Sequence, residues 1–327
     1  MYPVNPKKSL GQHFLADRNI AAKITRALSF DGYKHLLEVG PGTGVLTEYL
    51  LEKRDISLRL VEIDAESAVY LKERYPETKG MIDEEDFLKY PLSQKYTQPL
   101  AIIGNFPYNI SSQIFFKILE NKHLVKEVVC MVQKEVAGRI VAPPGSKVYG
   151  ILSVLLQAYY NAEMLFTVPP QVFVPPPKVT SAVIRLTRRL EGEKGKAVRA
   201  GRETAGKADQ EAAGDAGQGA TGKADQEAAV YAKLPCNEEL FFKVVKTAFN
   251  QRRKMLRNSL SRFLPAGQGK SGNNRTGKEG GLAERCEGGR EPFNDPATGL
   301  LSLRPEQLTV EDFTALTNYI GSYGRGR

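Results

Sequence analysis

Between residues 36 and 188 the sequence alternates between short apolar runs and helical patterns, and that alternation leaves few folds open. Leu36-Leu37-Glu38-Val39 reads as a strand, Val45 to Lys53 as a helix, Ser57 to Ile63 as a strand and Ala65 to Tyr75 as a helix. A weaker strand lies near Gly80 to Ile82, followed by runs at Leu100 to Ile103 and Val128 to Val132. Helices follow the last two, near Ser112 to Glu120 and Gln133 to Val141. Such repetition predicts an α/β fold, a parallel sheet covered by helices on both faces. A helix at Tyr149 to Tyr160 and two strand-like runs, Ala162 to Val168 and Thr180 to Thr187, end the pattern. The link Val174-Pro175-Pro176-Pro177 between those runs cannot be helical and reads as an extended hairpin connection.

Beyond residue 190 the character changes. Residues 191–232 are rich in Ala, Gly, Glu and Lys, repeat GKADQEAA twice and carry almost no apolar bulk. Residues 265–292 hold eight glycines among mixed charges. Neither segment buries enough surface to offset the cost of ordering, so both are expected to be disordered insertions. The expected division is therefore a domain at 1–190, an insertion at 191–232, and a second domain at 233–327 interrupted at about 265–292. Within the second, Glu238 to Phe263 is expected to be helical, with Phe241, Val244, Val245, Ala248 and Phe249 forming an apolar stripe. A last helix, Val310 to Tyr319, is expected to be capped by Thr309 with Asp312.

A chain of 327 residues with a formal charge of +9 favours a polyanionic partner. Segment 191–232 carries 6 basic and 8 acidic residues, so the remainder holds an excess of +11. The apolar runs are too short to span a bilayer, and the N-terminus has no signal-peptide core. Three scattered cysteines and three isolated histidines predict a reducing, cytoplasmic setting, no disulfide framework and no metal site.

Glu38-Val39-Gly40-Pro41-Gly42-Thr43-Gly44 closes the first strand and opens the first helix. Glycines there let the backbone approach a ligand, and Glu62 at the end of the next strand is placed to hold two ribose hydroxyls. A dinucleotide fingerprint would require a third glycine at position 45, which is Val45. The tighter G-x-G-x-G spacing is similar to class I methyltransferases that use S-adenosylmethionine. Asp86, past the third strand, can accept from an adenine amine or serve as a solvated turn residue.

Gly104-Asn105-Phe106-Pro107-Tyr108-Asn109-Ile110-Ser111 follows a buried strand. It reads either as a turn into a helix or as a pocket for a flat ring bearing an amine. In the second reading the Asn105 side-chain oxygen and the Pro107 carbonyl accept the two amine N–H bonds, and Tyr108 stacks on the ring. Phe173 would stack on the opposite face, or else is a core aromatic.

GQHFL at 11–15, EVGPGTGVLTEYLL at 38–51, VEID at 61–64, GNFPYNIS at 104–111 and QKEVAGRIVAPPGSKVYGILSVLLQ at 133–157 together resemble one family. VPPQVFVPPPKVTSAVIRL at 168–186 and AFNQRRKMLRNSL at 248–260 extend the match. The chain resembles the KsgA/RsmA family, the bacterial small-subunit ribosomal RNA adenine dimethyltransferases. The resemblance implies a Rossmann-like S-adenosylmethionine-dependent methyltransferase domain followed by a small all-α C-terminal domain. It implies dimethylation of N6 on two adjacent adenosines in the 3′-terminal hairpin loop of 16S rRNA, within the immature 30S subunit, by a monomeric enzyme. It also implies that His13 and Leu15 belong to a segment covering the cofactor, that Gly40 lies beside it, that Glu62 holds its ribose and Asp86 its adenine, and that Asn105 begins the catalytic motif. His13 stands where the family often has Asn, and Phe106 where it often has Leu. Lys7, Lys8, Arg252, Arg253, Lys254 and Arg257 are candidates for rRNA phosphate contacts, or a solvated basic face. The rival readings are a 23S rRNA adenine methyltransferase, a ribosome-assembly factor acting by binding, and a nicotinamide dehydrogenase.

Overall fold

The computed structural model describes residues 4–190, 233–264 and 296–324; the two expected insertions lie outside the described residues. The chain opens with a two-residue strand, β1 (Phe14–Leu15), and α1 (Arg18–Arg26). There follow β2 (His35–Val39), α2 (Thr47–Leu50), β3 (Ser57–Val61), α3 (Ala65–Arg74), β4 (Ile82–Asp83), α4 (Leu92–Lys95), β5 (Leu100–Asn105), α5 (Ser111–Glu120), β6 (Val125–Gln133), α6 (Lys134–Ile140) and α7 (Ile151–Gln157). The unit ends with β7 (Tyr160–Val168), β8 (Phe173–Val174) and β9 (Ser181–Arg188). The C-terminal part contributes α8 (Glu238–Asn250), α9 (Leu256–Ser259), α10 (Pro296–Leu300) and α11 (Val310–Gly324).

Seven strands form one sheet in the order β4-β3-β2-β5-β6-β9-β7. The parallel prediction holds from β4 to β6, while β9 pairs antiparallel with both β6 and β7. The central strands show why an unbroken apolar run marks a doubly covered strand. Leu100 and Ile102 enter the core on one face; Ala101 and Ile103 enter the core on the other. Val128, Cys130 and Val132 alternate with Val129 and Met131 in the same way.

The C-terminal helices pack on the face that carries α5, α6 and α7, and share its core. Phe241, Val244, Val245 and Ala248 of α8 are fully buried there, confirming the apolar stripe. Each large apolar side chain so buried contributes about 1.5–3 kcal/mol. Phe249 and Phe242 meet Tyr149 and Tyr159 at 6.1 and 6.5 Å between ring centroids. At the start of α11, Thr309 and Asp312 bond each other reciprocally, as the capping pattern predicts.

The single helix expected from Glu238 to Phe263 is interrupted. Its apolar stripe ends at Phe249, and α8 stops at Asn250. A turn closes through the Lys254 N–H to the Gln251 carbonyl, and α9 begins at Leu256. The cause is tertiary: the N–H groups of Leu256 and Arg257 donate to the carbonyls of Leu303 and Leu301 instead of continuing α8. The helix expected over Val45 to Lys53 likewise shortens to Thr47–Leu50, with the glycine turn before it and a second turn, closed by the Lys53 N–H to the Leu50 carbonyl, after it.

Two elements that the alternation did not reveal matter for the site. One is α1, capped by Asp17, whose carboxylate accepts from the N–H groups of Asn19 and Ile20. The other is a separate two-stranded sheet in which β1 pairs antiparallel with β8, Phe14 opposite Val174 and Leu15 opposite Phe173. The proline-rich link is therefore more than a hairpin connection, because its leading edge is a strand that holds the N-terminal segment.

Candidate active site

The C-terminal ends of β2, β3, β4 and β5 converge on a cavity of about 210 Å³, where open α/β sheets bind ligands. Its lining includes His13, Gly40, Glu62, Asp86, Asn105, Pro107 and Tyr108, seven of the nine residues expected to bind cofactor or target base.

The three glycines after β2 have three different duties, and all have positive φ. A Cβ on Gly40 would meet nothing within 4 Å, so its bareness keeps the cavity floor open. A Cβ on Gly42 would come within 2.8 Å of the Phe14 ring. One on Gly44 would strike the side chains of Tyr75 and Leu71 at 2.6 and 2.8 Å. Gly44 is thus the packing glycine that seats α3, one position earlier than in a dinucleotide fingerprint.

Glu62 is 4% exposed, and its two oxygens accept from the N–H groups of Gly42 and Asp64 at 3.0 and 2.9 Å. Burial raises its pKa, and the two backbone donors oppose the rise. Behind it Glu38, fully buried, accepts from the Thr47 hydroxyl at 2.8 Å. Burial pushes its pKa up to about 8, with Thr47 pulling it down and Glu62 adding to the rise. Asp86 folds its carboxylate back onto the Leu88 N–H at 2.9 Å, which shapes the loop that borders the cavity.

Asn105 is the last residue of β5. Gly104 before it lets β5 lie close to β2, since a Cβ there would come within 2.4 Å of the Val39 carbonyl. The Asn105 amide nitrogen donates to the His13 carbonyl at 2.8 Å, which leaves its oxygen with no donor among the described residues. Pro107 offers a carbonyl already accepting from the Ile110 N–H at 3.2 Å, so one of its two lone pairs remains, not both. Tyr108 is half-buried, with its hydroxyl 2.5 Å from Ser181 Oγ. Burial raises the Tyr108 pKa, and the Ser181 contact lowers it.

Several expected roles need correction. Leu15 and Phe173 do not line the cavity; they are 3% and 1% exposed and face each other across the β1–β8 pair. Phe173 is the core aromatic of the two alternatives, and no face of it is open to a base. His13 reaches the cavity, with its ring stacked on Tyr108 at 5.5 Å and 27° and its Nδ1 2.7 Å from the Pro175 carbonyl. Lys7 is not a free cation. It pairs with Asp64 and with Glu66, and Gln12 joins Asp64 at 3.1 Å. Burial pushes the Asp64 carboxyl up, but the bonds from Lys7, Gln12 and Ser67 outweigh it and hold the group below its ordinary value. Arg252 donates to the Ser146 carbonyl at 3.2 Å and lies 3.9 Å from Glu306, joining loops of the two parts of the molecule. Arg257 is half-buried, with its Nε enclosed. Lys8, Arg253 and Lys254 are exposed, with no ion pair among the described residues.

The sequence reading missed Phe14, Gln12 and Ser181. The first two sit inside GQHFL, and their signal was that an aromatic and an amide flank His13. Ser181 left no signal, since only pairing of β9 with β6 brings it to Tyr108.

A family model described as ribosomal RNA adenine dimethylase matches residues 4–200. The ribosomal RNA small subunit methyltransferase A of Flavobacterium johnsoniae is 44% identical over 325 residues, 99% of each chain. Its counterpart in Bacteroides thetaiotaomicron is also 44% identical, over 97% of this chain and 94% of its own. Among solved structures, a dimethyladenosine transferase from Plasmodium falciparum matches 95% of this chain and 98% of its own with a TM-score of 0.63 at 21% identity, a likeness of fold.

Proposed function

The chain belongs to the ribosomal RNA adenine dimethylase family, and from that premise we propose that it dimethylates N6 of two adjacent adenosines in the 3′-terminal hairpin loop of 16S rRNA within the immature 30S subunit. The protein works as a cytoplasmic monomer, with a methyltransferase domain over residues 1–190 and a helical rRNA-binding domain within 233–327, interrupted at about 265–292. Among the described residues no helix is long and apolar enough to cross a membrane.

The residues fit S-adenosylmethionine. The floor at Gly40 is open, Glu62 presents a carboxylate aimed by two backbone donors, and Asp86 borders the same cavity. The cofactor, when bound, supplies the activated methyl group. The chain contributes orientation, which can be worth roughly 7–11 kcal/mol.

The observation that carries the reading is the orientation of Asn105. With its nitrogen committed to the His13 carbonyl, its oxygen is an acceptor of fixed direction on the cavity wall. That oxygen and the remaining lone pair of Pro107 accept the two N–H bonds of the adenine amine, which favours a pyramidal nitrogen. The alkylated nitrogen gives its surplus proton to water, so the site has no need of a strong base. The adenine reaches Asn105 by leaving its stack, at a cost of a few kcal/mol. Tyr108 offsets part of that cost, since an aromatic contact with a base contributes about 1–3 kcal/mol.

The test is methylation of immature 30S particles by purified protein, with the modified nucleosides mapped by mass spectrometry. N6,N6-dimethyladenosine in the 3′-terminal hairpin of 16S rRNA is expected. Modification confined to 23S rRNA, or binding without methylation, overturns the reading.

A further inference from the structure

We propose that the His13 side chain is a displaceable stand-in for the target base, covering Tyr108 until a flipped purine takes its place. This rests on the reading that Asn105 receives an adenine amine. The imidazole is the ring that faces Tyr108 among the described residues, stacked at 5.5 Å and 27°, within the range of offset aromatic pairs. Phe173 is sealed in the β1–β8 pair and does not compete for that position. The hydroxyl contact with Ser181 anchors the far end of the Tyr108 side chain, so this ring does not turn freely away from His13.

A base cannot simply slide between the two rings. A sandwich needs roughly twice a stacking distance between its outer members, and the pair is already in contact. The imidazole has to leave for a base to lie on this face of Tyr108, and its attachments suit departure. Since a carbonyl oxygen only accepts, Nδ1 carries the proton donated to Pro175, and Nε2 has no hydrogen-bond partner among the described residues. One stacking contact and one hydrogen bond hold the ring, and both are regained when the base leaves. The backbone, in contrast, is fixed: the His13 carbonyl holds Asn105, and β1 begins at the next residue. Rotation about the His13 side-chain bonds therefore uncovers Tyr108 without disturbing the acceptor that orients the amine.

The wild-type protein tests this directly. It has three histidines, so its imidazole Cε1–H signals are few, and His13→Asn identifies the one that belongs to position 13. The protein is saturated with S-adenosylhomocysteine and titrated with the 16S 3′-terminal hairpin RNA. The His13 signal is expected to lose its ring-current shift with the intact hairpin, and to keep it with a hairpin abasic at the two target positions. A signal that stays put with both RNAs, or moves equally with both, overturns the stand-in. In the 30S assay, His13→Asn is expected to lower the apparent KM for the particle by about two- to tenfold, the worth of one aromatic pair. An unchanged or raised KM, or a loss confined to kcat, overturns it as well. If wild-type protein methylates the hairpin adenines while these results fail, the stand-in falls and the proposed function stands. Absence of that methylation removes both.

Discussion

Gly40 and Glu62 reach the cavity from the ends of neighbouring strands, tied by the Gly40 N–H to the Val61 carbonyl and, across 20 residues, by the Gly42 N–H to the Glu62 carboxylate. His13 and Pro175 meet across 162. The half proposed to hold the cofactor is thus built on turns at the ends of adjacent parallel strands, with Gly44 seating α3 and Gly42 leaving room for the Phe14 ring. The substrate half is a clasp. An N-terminal segment is threaded between the Asn105–Tyr108 loop and β8, and its parts hold one another. The difference separates two ways of failing. Damage to the first half should weaken cofactor affinity and spare geometry at the target amine, whereas damage to the second should do the reverse.

The largest effect is expected at Asn105. Asn105→Ala removes the fixed acceptor and should lower the methylation rate by about 10²–10³-fold, the scale of losing one preorganised polar partner. Cofactor affinity by titration calorimetry should change by only a few-fold; a collapse of that affinity would join the two halves that we separate. Phe173→Ala should lower stability by about 3–5 kcal/mol through its cavity, read as a fall in denaturation midpoint. A mutant of unchanged stability with impaired RNA binding would return Phe173 to the base-stacking role. Glu62→Gln should weaken cofactor binding by about 10–100-fold, the worth of a charge-assisted hydrogen bond, with kcat at saturation little altered. The smallest effect concerns the surface. Arg253→Gln with Lys254→Gln should reduce the slope of log affinity against log salt for rRNA by about 2, while Arg252→Gln, already engaged by Ser146 and Glu306, should leave it unchanged. Equal effects from the two variants would place Arg252 in the interface.

The two halves were also unequally legible. The strands β2, β3, β5 and β6 could be read because both faces of the sheet are covered, and continuous apolar runs announce that condition. Gly40, Glu62 and Asp86 could be placed because strand ends in a parallel sheet share one edge. Single side chains in the clasp could not. Nothing local in Phe173 says that its ring turns toward Leu15, and nothing in Lys7 says that Asp64 lies within reach. Arg252 and Arg253 are adjacent and chemically alike, yet a loop from elsewhere in the chain claims one of them. The break after Asn250 escaped for the same reason, since the carbonyls of Leu301 and Leu303 that cause it come from the far side of an undescribed segment.

The clasp also imposes a schedule. A ribosome adds about 5–20 residues per second. The 162 positions from His13 to Pro175 therefore separate the two sides of the clasp by about 8–32 s of synthesis. During that interval the glycine turn, Glu62 and Asn105 have all emerged, yet the strand that pairs with Phe14 and Leu15 has not. The segment made first is among the last to find its place, so the nascent chain can carry a formed cofactor edge well before it carries an enzyme.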